Sequence, residues 1–151
     1  MATWTAPDVV WDVAASPDGR RIAVACGDSV VVRSADLAGA VDWSAELDDT
    51  VTSVAFSHDG VLVIAVCDDG TISWWHVEGG RLAGRIEGHA SGTCVAPHPS
   101  EALLAVADER GVVGALRYAP GALLRLVRDA TLVNPSDAER ARYLFGLLPS
   151  T

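Results

Sequence analysis

The stretch Val54-Ala55-Phe56-Ser57-His58-Asp59-Gly60, continued by Asp69-Gly70-Thr71-Ile72-Ser73-Trp74-Trp75-His76, decides the fold. Short apolar runs are set between turn residues, the pattern of antiparallel strands rather than of helices. Strands are predicted over 51–57, 61–67, 71–76 and 81–87. Asp59-Gly60 and Asp69-Gly70 supply residues that tolerate positive φ in the connecting turns. Three of these runs are apolar on both faces or nearly so, as in sheets stacked face to face.

Working outward, the same text recurs upstream and downstream with a period of 41 residues and no gap. Val13, Val54 and Val95 are identical, as are Ala14, Ala55 and Ala96, and Gly39, Gly80 and Gly121. Ser16-Pro17-Asp18-Gly19 matches Ser57-His58-Asp59-Gly60. Cys26 falls on Cys67, Asp28 on Asp69, and Val31 on Ile72 and Val113. Four short strands per repeat of this length is the signature of one blade of a β-propeller.

At these residues the chain resembles the WD-repeat family. The quoted stretch of the second copy is similar to a WD repeat, and Gly88-His89 stands in the family's Gly-His position. The likeness covers about residues 9–128. It implies three four-stranded antiparallel blades, an all-β fold with an incomplete ring, and structural roles for Asp69, Trp75, His89, Gly39, Gly80 and Gly121. The closing Trp-Asp position reads Ser34-Ala35, Trp75-His76 and Leu116-Arg117, and no copy carries the family's whole His–Ser/Thr–Asp–Trp set. Copy two has Asp48 in place of the His, and copy three has Arg110 and Leu116. Apolar packing is therefore expected to replace that network.

The arithmetic of the repeat divides the chain into residues 1–8, blades over 9–48, 49–89 and 90–130, and a tail over 131–151. Propeller rings hold four to eight blades, so three do not close one. In the same register Trp4 falls on Ala45, Ile86 and Val127, and residues 2–6 read as the outer strand of an absent or partner blade. Blade three has its own fourth strand predicted over 122–128. Three completions stand open: two copies closing a six-bladed ring, a separate chain supplying blades, or a C-terminal portion of a longer protein left as an open stack. In the tail, Asn134-Pro135-Ser136-Asp137 reads as a helix start and Ala138, Ala141, Leu144 and Leu148 as its apolar stripe. This tail loosely resembles the helices that follow the propeller in actinobacterial signalling ATPases.

Twenty acids stand against 11 bases, all Arg, for a net charge of −9; half of the residues are hydrophobic and mean hydropathy is +0.26. The absence of Lys and Gln suits a GC-rich, bacterial genome. Residues 1–69 hold 12 acids and 3 Arg, which repels phosphate and makes nucleic acid a poor partner. There is no run of about 18 apolar residues and no signal-peptide pattern, so neither a membrane partner nor secretion is expected, and the cytoplasm is the expected compartment.

Cys26 and Cys67 sit at equivalent points of adjacent blades, about a sheet spacing apart, too far for a disulfide, and read as reduced core thiols. His89, Cys94 and His98 match no strong zinc spacing. No nucleophile elbow, phosphate loop or metalloprotease motif occurs, so no catalytic residue, metal or cofactor is expected. The binding candidates are Trp11, Trp43 and Trp74 as aromatic anchors, and the turn acids Asp48, Asp49, Asp68 and Asp69. The reading that follows is a non-catalytic protein-interaction scaffold or sensor whose partner is another protein or a second copy. Alternatives are a self-assembling half-propeller, a C-terminal portion of a signalling ATPase or kinase, and, last, a metal-dependent propeller hydrolase.

Overall fold

The computed structural model describes residues 2–88 and 90–117. Eleven antiparallel strands form three sheets in strict chain order. The first holds β1 (Val10–Ala15), β2 (Arg21–Cys26), β3 (Ser29–Ser34) and β4 (Val41–Glu46). The second holds β5 (Val51–Phe56), β6 (Leu62–Cys67), β7 (Ile72–His76) and β8 (Leu82–Ile86). The third, over the described residues, holds β9 (Gly92–Pro97), β10 (Leu103–Asp108) and β11 (Val113–Arg117). His89, Gly121, the strand predicted over 122–128 and the helix predicted in 131–151 lie outside the described residues. The sheets are blades stacked side by side, with β1 beside β5 and β5 beside β9, and no closed ring among the described residues.

The middle sheet is apolar on both faces because each of its faces meets a neighbouring blade. All six residues of β6 are buried. Val63 and Ala65 point to blade 1 and join Ala23, Ala25, Val30 and Val32; Leu62, Ile64 and Val66 point to blade 3 and join Val95, Leu104 and Leu116. Alternation along one strand thus feeds two cores. The inner strands are also tied by polar contacts. Asp12 Oδ2 accepts from Ser53 Oγ at 2.7 Å and from the Val54 N–H at 3.0 Å, and Ser53 Oγ accepts from the Val95 N–H at 3.2 Å.

The turns explain the repeated Ser-x-Asp-Gly. Ser57, fully buried, donates to Asp59 Oδ1 at 2.5 Å and accepts from the Leu62 N–H at 2.9 Å; Ser16, Asp18 and Arg21 repeat the arrangement. In blade 3 His98 takes the place of the serine, its Nδ1 accepting from the Ser100 and Glu101 N–H groups.

Two expectations change. The repeat is not gapless. Val63 pairs with Trp75 and Leu104 with Leu116, but Ile22, the counterpart of both Val63 and Leu104, pairs with Arg33 rather than Ser34. Counted between paired residues, the β2–β3 turn of blade 1 is Gly27-Asp28, one residue shorter than 68–70 between Cys67 and Thr71 in blade 2, and the β3–β4 loop is one longer. Arg33 therefore holds the place of Trp75, and Val31 does not correspond to Ile72. Within the longer loop Leu37 adopts a φ of 60°, rare for a residue with a Cβ, and its carbonyl accepts from Arg33 Nη2 at 2.7 Å.

Residues 2–6 are not a strand. They lie against the face of blade 1 turned away from blade 2, where Trp4 and Ala6 pack on Ile22, Val24, Cys26 and Val31. No ladder partner for them exists among the described residues. Trp4 covers Arg33 at 4.7 Å, much as Trp43 of β4 covers Trp75 in the next blade at 6.2 Å between ring centroids. The segment thus packs on this face through side chains alone, without strand hydrogen bonding among the described residues.

Replacing Ser57 by Ala leaves the buried Leu62 N–H without its acceptor. Urea unfolding is expected to show a loss of about 1–3 kcal/mol. Burial pushes the Cys67 thiol up to about 12, with Asp69 and Asp49 adding to the shift. Since the folded value lies above the ordinary thiol range, this residue's contribution to stability is intact below pH 9 and is lost as pH climbs towards 12. Cys94 is exposed, whereas Cys26 and Cys67 are buried. A thiol titration of the unassociated chain at pH 8 is expected to count one fast thiol, and three after denaturation; three fast thiols without denaturant would contradict this packing.

Candidate functional site

The aromatic candidates separate cleanly. Trp74 is 2% exposed and faces blade 3 in the core with Ile64, Ile72 and Leu104; a Cβ on Gly84 would meet its ring at 2.2 Å, so only Gly fits there. Trp43 packs into the seam with blade 2 and donates from Nε1 to the Val77 carbonyl at 2.7 Å, its ring lying where a Cβ on Gly80 would stand. Neither is an anchor open to a partner: adjacent faces of stacked sheets claim both. That also accounts for Gly80, whose φ of 65° and contact with Trp43 both demand Gly. Trp75 is 4% exposed in the same seam, as its structural assignment requires. Trp11 differs. It occupies the irregular position between Val10 and Asp12 at the start of β1, and 58% of it is exposed.

The acidic candidates all lie at the end of the stack where β1 begins, because the β2–β3, β4–β5, β6–β7 and β10–β11 connections emerge there. Asp48 pairs with Arg85 at 2.9 Å; Asp49 accepts from the Thr50 N–H at 2.7 Å and Asp69 from the Thr71 N–H at 2.8 Å; Asp68 accepts from the Ser91 hydroxyl across to the next blade. These acids thus brace turns, and together with Asp28, Glu87 and Glu109 they make this end strongly acidic. Its two arginines, Arg85 and Arg110, are both engaged with carboxylates, and the pairing holds Arg85 above its usual range.

One arrangement was hidden from sequence reading. Asp108, with no exposed side-chain surface, accepts from the N–H groups of Arg110 and Val112 and receives the Arg110 guanidinium at 2.8 and 2.9 Å. Arg110, at the position of Asp69, is answered by an acid at the position of Cys67. The signal was present as an Asp-x-Arg pair but needed the β10–β11 turn to be read.

At the opposite end, the inner strands enclose a cleft of about 450 Å³ lined by Val13–Ala15 and Pro17, Val54–His58, and Val95–Pro99. The three copies of Val-Ala form its walls, and His58 and His98 lie in its lining. Among the described residues no group of three His, Cys, Asp or Glu side chains is placed to hold a metal ion.

Repeated four-stranded meanders, stacked through apolar faces and joined at their inner strands, define a β-propeller segment. Comparison gives the family. The WD domain, G-beta repeat, matches residues 1–32 and 42–76, so these residues are WD repeats. Sqt1 of Saccharomyces cerevisiae superposes with a TM-score of 0.75 at 13% identity, over 86% of this chain and 37% of that one. The WD40 repeats of RRP9 superpose with a TM-score of 0.70 at 17% identity, over 84% of this chain and 42% of that one. The chain thus spans about two fifths of the length of these WD-repeat structures. No curated protein matches the sequence.

Trp11→Ala removes an exposed ring and is expected to change unfolding free energy by under about 0.5 kcal/mol. Trp75→Ala empties a seam and is expected to cost about 3–5 kcal/mol. Equal losses in chemical denaturation would contradict the division drawn between these two tryptophans.

Proposed function

We propose that the chain serves as a non-catalytic protein-interaction scaffold of WD-repeat type, and that its partner surface is the acidic end bearing Trp11. The observation that carries this reading is one large aromatic left exposed where the equivalent positions hold Thr52 and Thr93. Thr52 is consumed by the stack, donating to the Gly92 carbonyl at 2.6 Å, whereas Trp11 belongs to no buried cluster. An exposed Trp costs solvation without adding to the core, and tryptophan is among the residues that anchor protein interfaces. The surrounding turn acids supply long-range attraction for a basic protein surface and oppose nucleic acid.

The class of partner follows from the surface: a protein with a pocket for one indole, edged by Arg or Lys. Affinity capture with the full chain, from cells that make it, is expected to retain a discrete protein that Trp11→Ala loses by tenfold or more. Its association rate is expected to fall between 50 and 500 mM salt as the carboxylates are screened. Identical capture by the variant, with no salt dependence, would remove this surface from consideration.

A further inference from the structure

The two seams inside the chain show what covers a blade face. Blade 2 offers blade 1 a face that includes Val51, Val54 and Val63, which are 0%, 3% and 0% exposed. The same positions on blade 1 are Val10, Val13 and Ile22, and here Val10 and Val13 are 45% and 54% exposed. Residues 2–8 cover the β2 and β3 part of this face, with Trp4 standing over Arg33, and leave Val10 and Val13 of β1 open. The part that the inner strands of a neighbouring blade would bury is bare. Arg33 lies within this face, 2% exposed, and its Nε has no partner.

The other flank of the stack is the complementary surface. Blade 2 presents Ala55, Ile64 and Trp74 to blade 3. Blade 3 carries Ala96, Ala105 and Ala115 at those positions, with Ala96 and Ala105 exposed, and Cys94, exposed, at the position of Asp12 and Ser53. The described residues therefore present on one side the face that the chain's own seams bury, and on the other the face that buries it. Charge agrees. At the seam between blades 1 and 2, Arg21 donates to Glu78 at 2.7 Å. Glu78 corresponds to the exposed Asp36 on blade 1, and beside the Arg21 position in blade 3 stands Arg117, paired across strands with Leu103.

We propose that the bare face of blade 1 is covered by blade 3 of a second copy of this chain, in a head-to-tail seam repeated twice to close six blades. Strand β9 of the partner copy comes to lie beside β1, as neighbouring inner strands lie side by side within the chain. Val10 and Val13 go under cover as Val51 and Val54 are, and Arg117 of the partner copy faces Asp36. The proposal goes beyond the scaffold reading and stands whichever protein the acidic end takes.

Sedimentation equilibrium on the full chain is expected to give twice 15.7 kDa. Val13→Glu and Ala105→Arg each put a charge into both seams, and each is expected to raise the dimer dissociation constant at least about a hundredfold. Far-UV circular dichroism is expected to be unchanged, since Val13 and Ala105 are exposed in the single chain. Mixing the two variants leaves one seam of natural residues and sets the introduced carboxylate against the introduced guanidinium in the other, so an equimolar mixture is expected to recover the dimer. Val10→Glu and Ala96→Arg serve in the same way if either first variant fails to fold. A wild-type monomer with residues 118–151 covering the flank would overturn the proposal. So would a dimer indifferent to both variants, or a mixture that stays monomeric, which is the outcome for a contact between like faces.

Discussion

A sheet that is apolar on both faces has to be covered twice. That requirement governs this molecule more than any hydrogen bond. The six consecutive buried residues of β6 can be accommodated only if a blade lies on each side, and the stacking of β5–β8 between its neighbours meets the demand. Burial of a single Val, Leu or Ile side chain is worth about 1.5–3 kcal/mol, against about 0.5–1.5 for a typical hydrogen bond, so the stacked faces outweigh the turn contacts. The polar contacts then choose among possible stackings: Asp12 with Ser53 and Val54, and Ser53 with Val95, hold adjacent inner strands in one alignment.

The same requirement shows how the WD pattern decays without loss of fold. Blade 1 puts Arg33 where blade 2 puts Trp75. A guanidinium in that place has to be shielded, and Trp4 and the carbonyls of Leu37 and Gly39 do so. Blade 3 puts Arg110 where blade 2 puts Asp69, and Asp108 receives it. His98 replaces a serine, and its Nδ1 accepts from the Ser100 and Glu101 N–H groups where Ser57 accepts from that of Leu62. Each substitution is answered by side chains or carbonyls packed around it, so each blade keeps its strands while its signature side chains change.

Much of the architecture was legible beforehand, because alternation, turn residues and repeat length are local properties. Strands β5 to β8 fall within a residue of their predicted limits, and the pairing order follows from the meander. What could not be read was which way a side chain faces once blades are stacked. Trp74 and Trp11 look alike as text, yet one is enclosed by two sheets and the other stands at the rim. The one-residue slip in β3 was hidden because Gly27-Asp28 and the loop before β4 compensate each other, so Gly39 still aligned with Gly80. Residues 2–6 read as a strand but form none, since register says where a segment belongs and not whether a neighbouring strand is there to pair with it.

That slip in β3 has a wider meaning. A residue was taken out of one hairpin and another was put into the next, and between them every face of the strand kept its orientation. The inner and outer strands did not move. The rim of a blade therefore works like a pair of adjustable ends on a fixed span, and length can be traded between them while the middle stays in phase. Repeats of this kind can diverge in the spelling of a single strand, bringing a new side chain such as Arg33 into an old position, while the rest of the blade carries no record of the exchange.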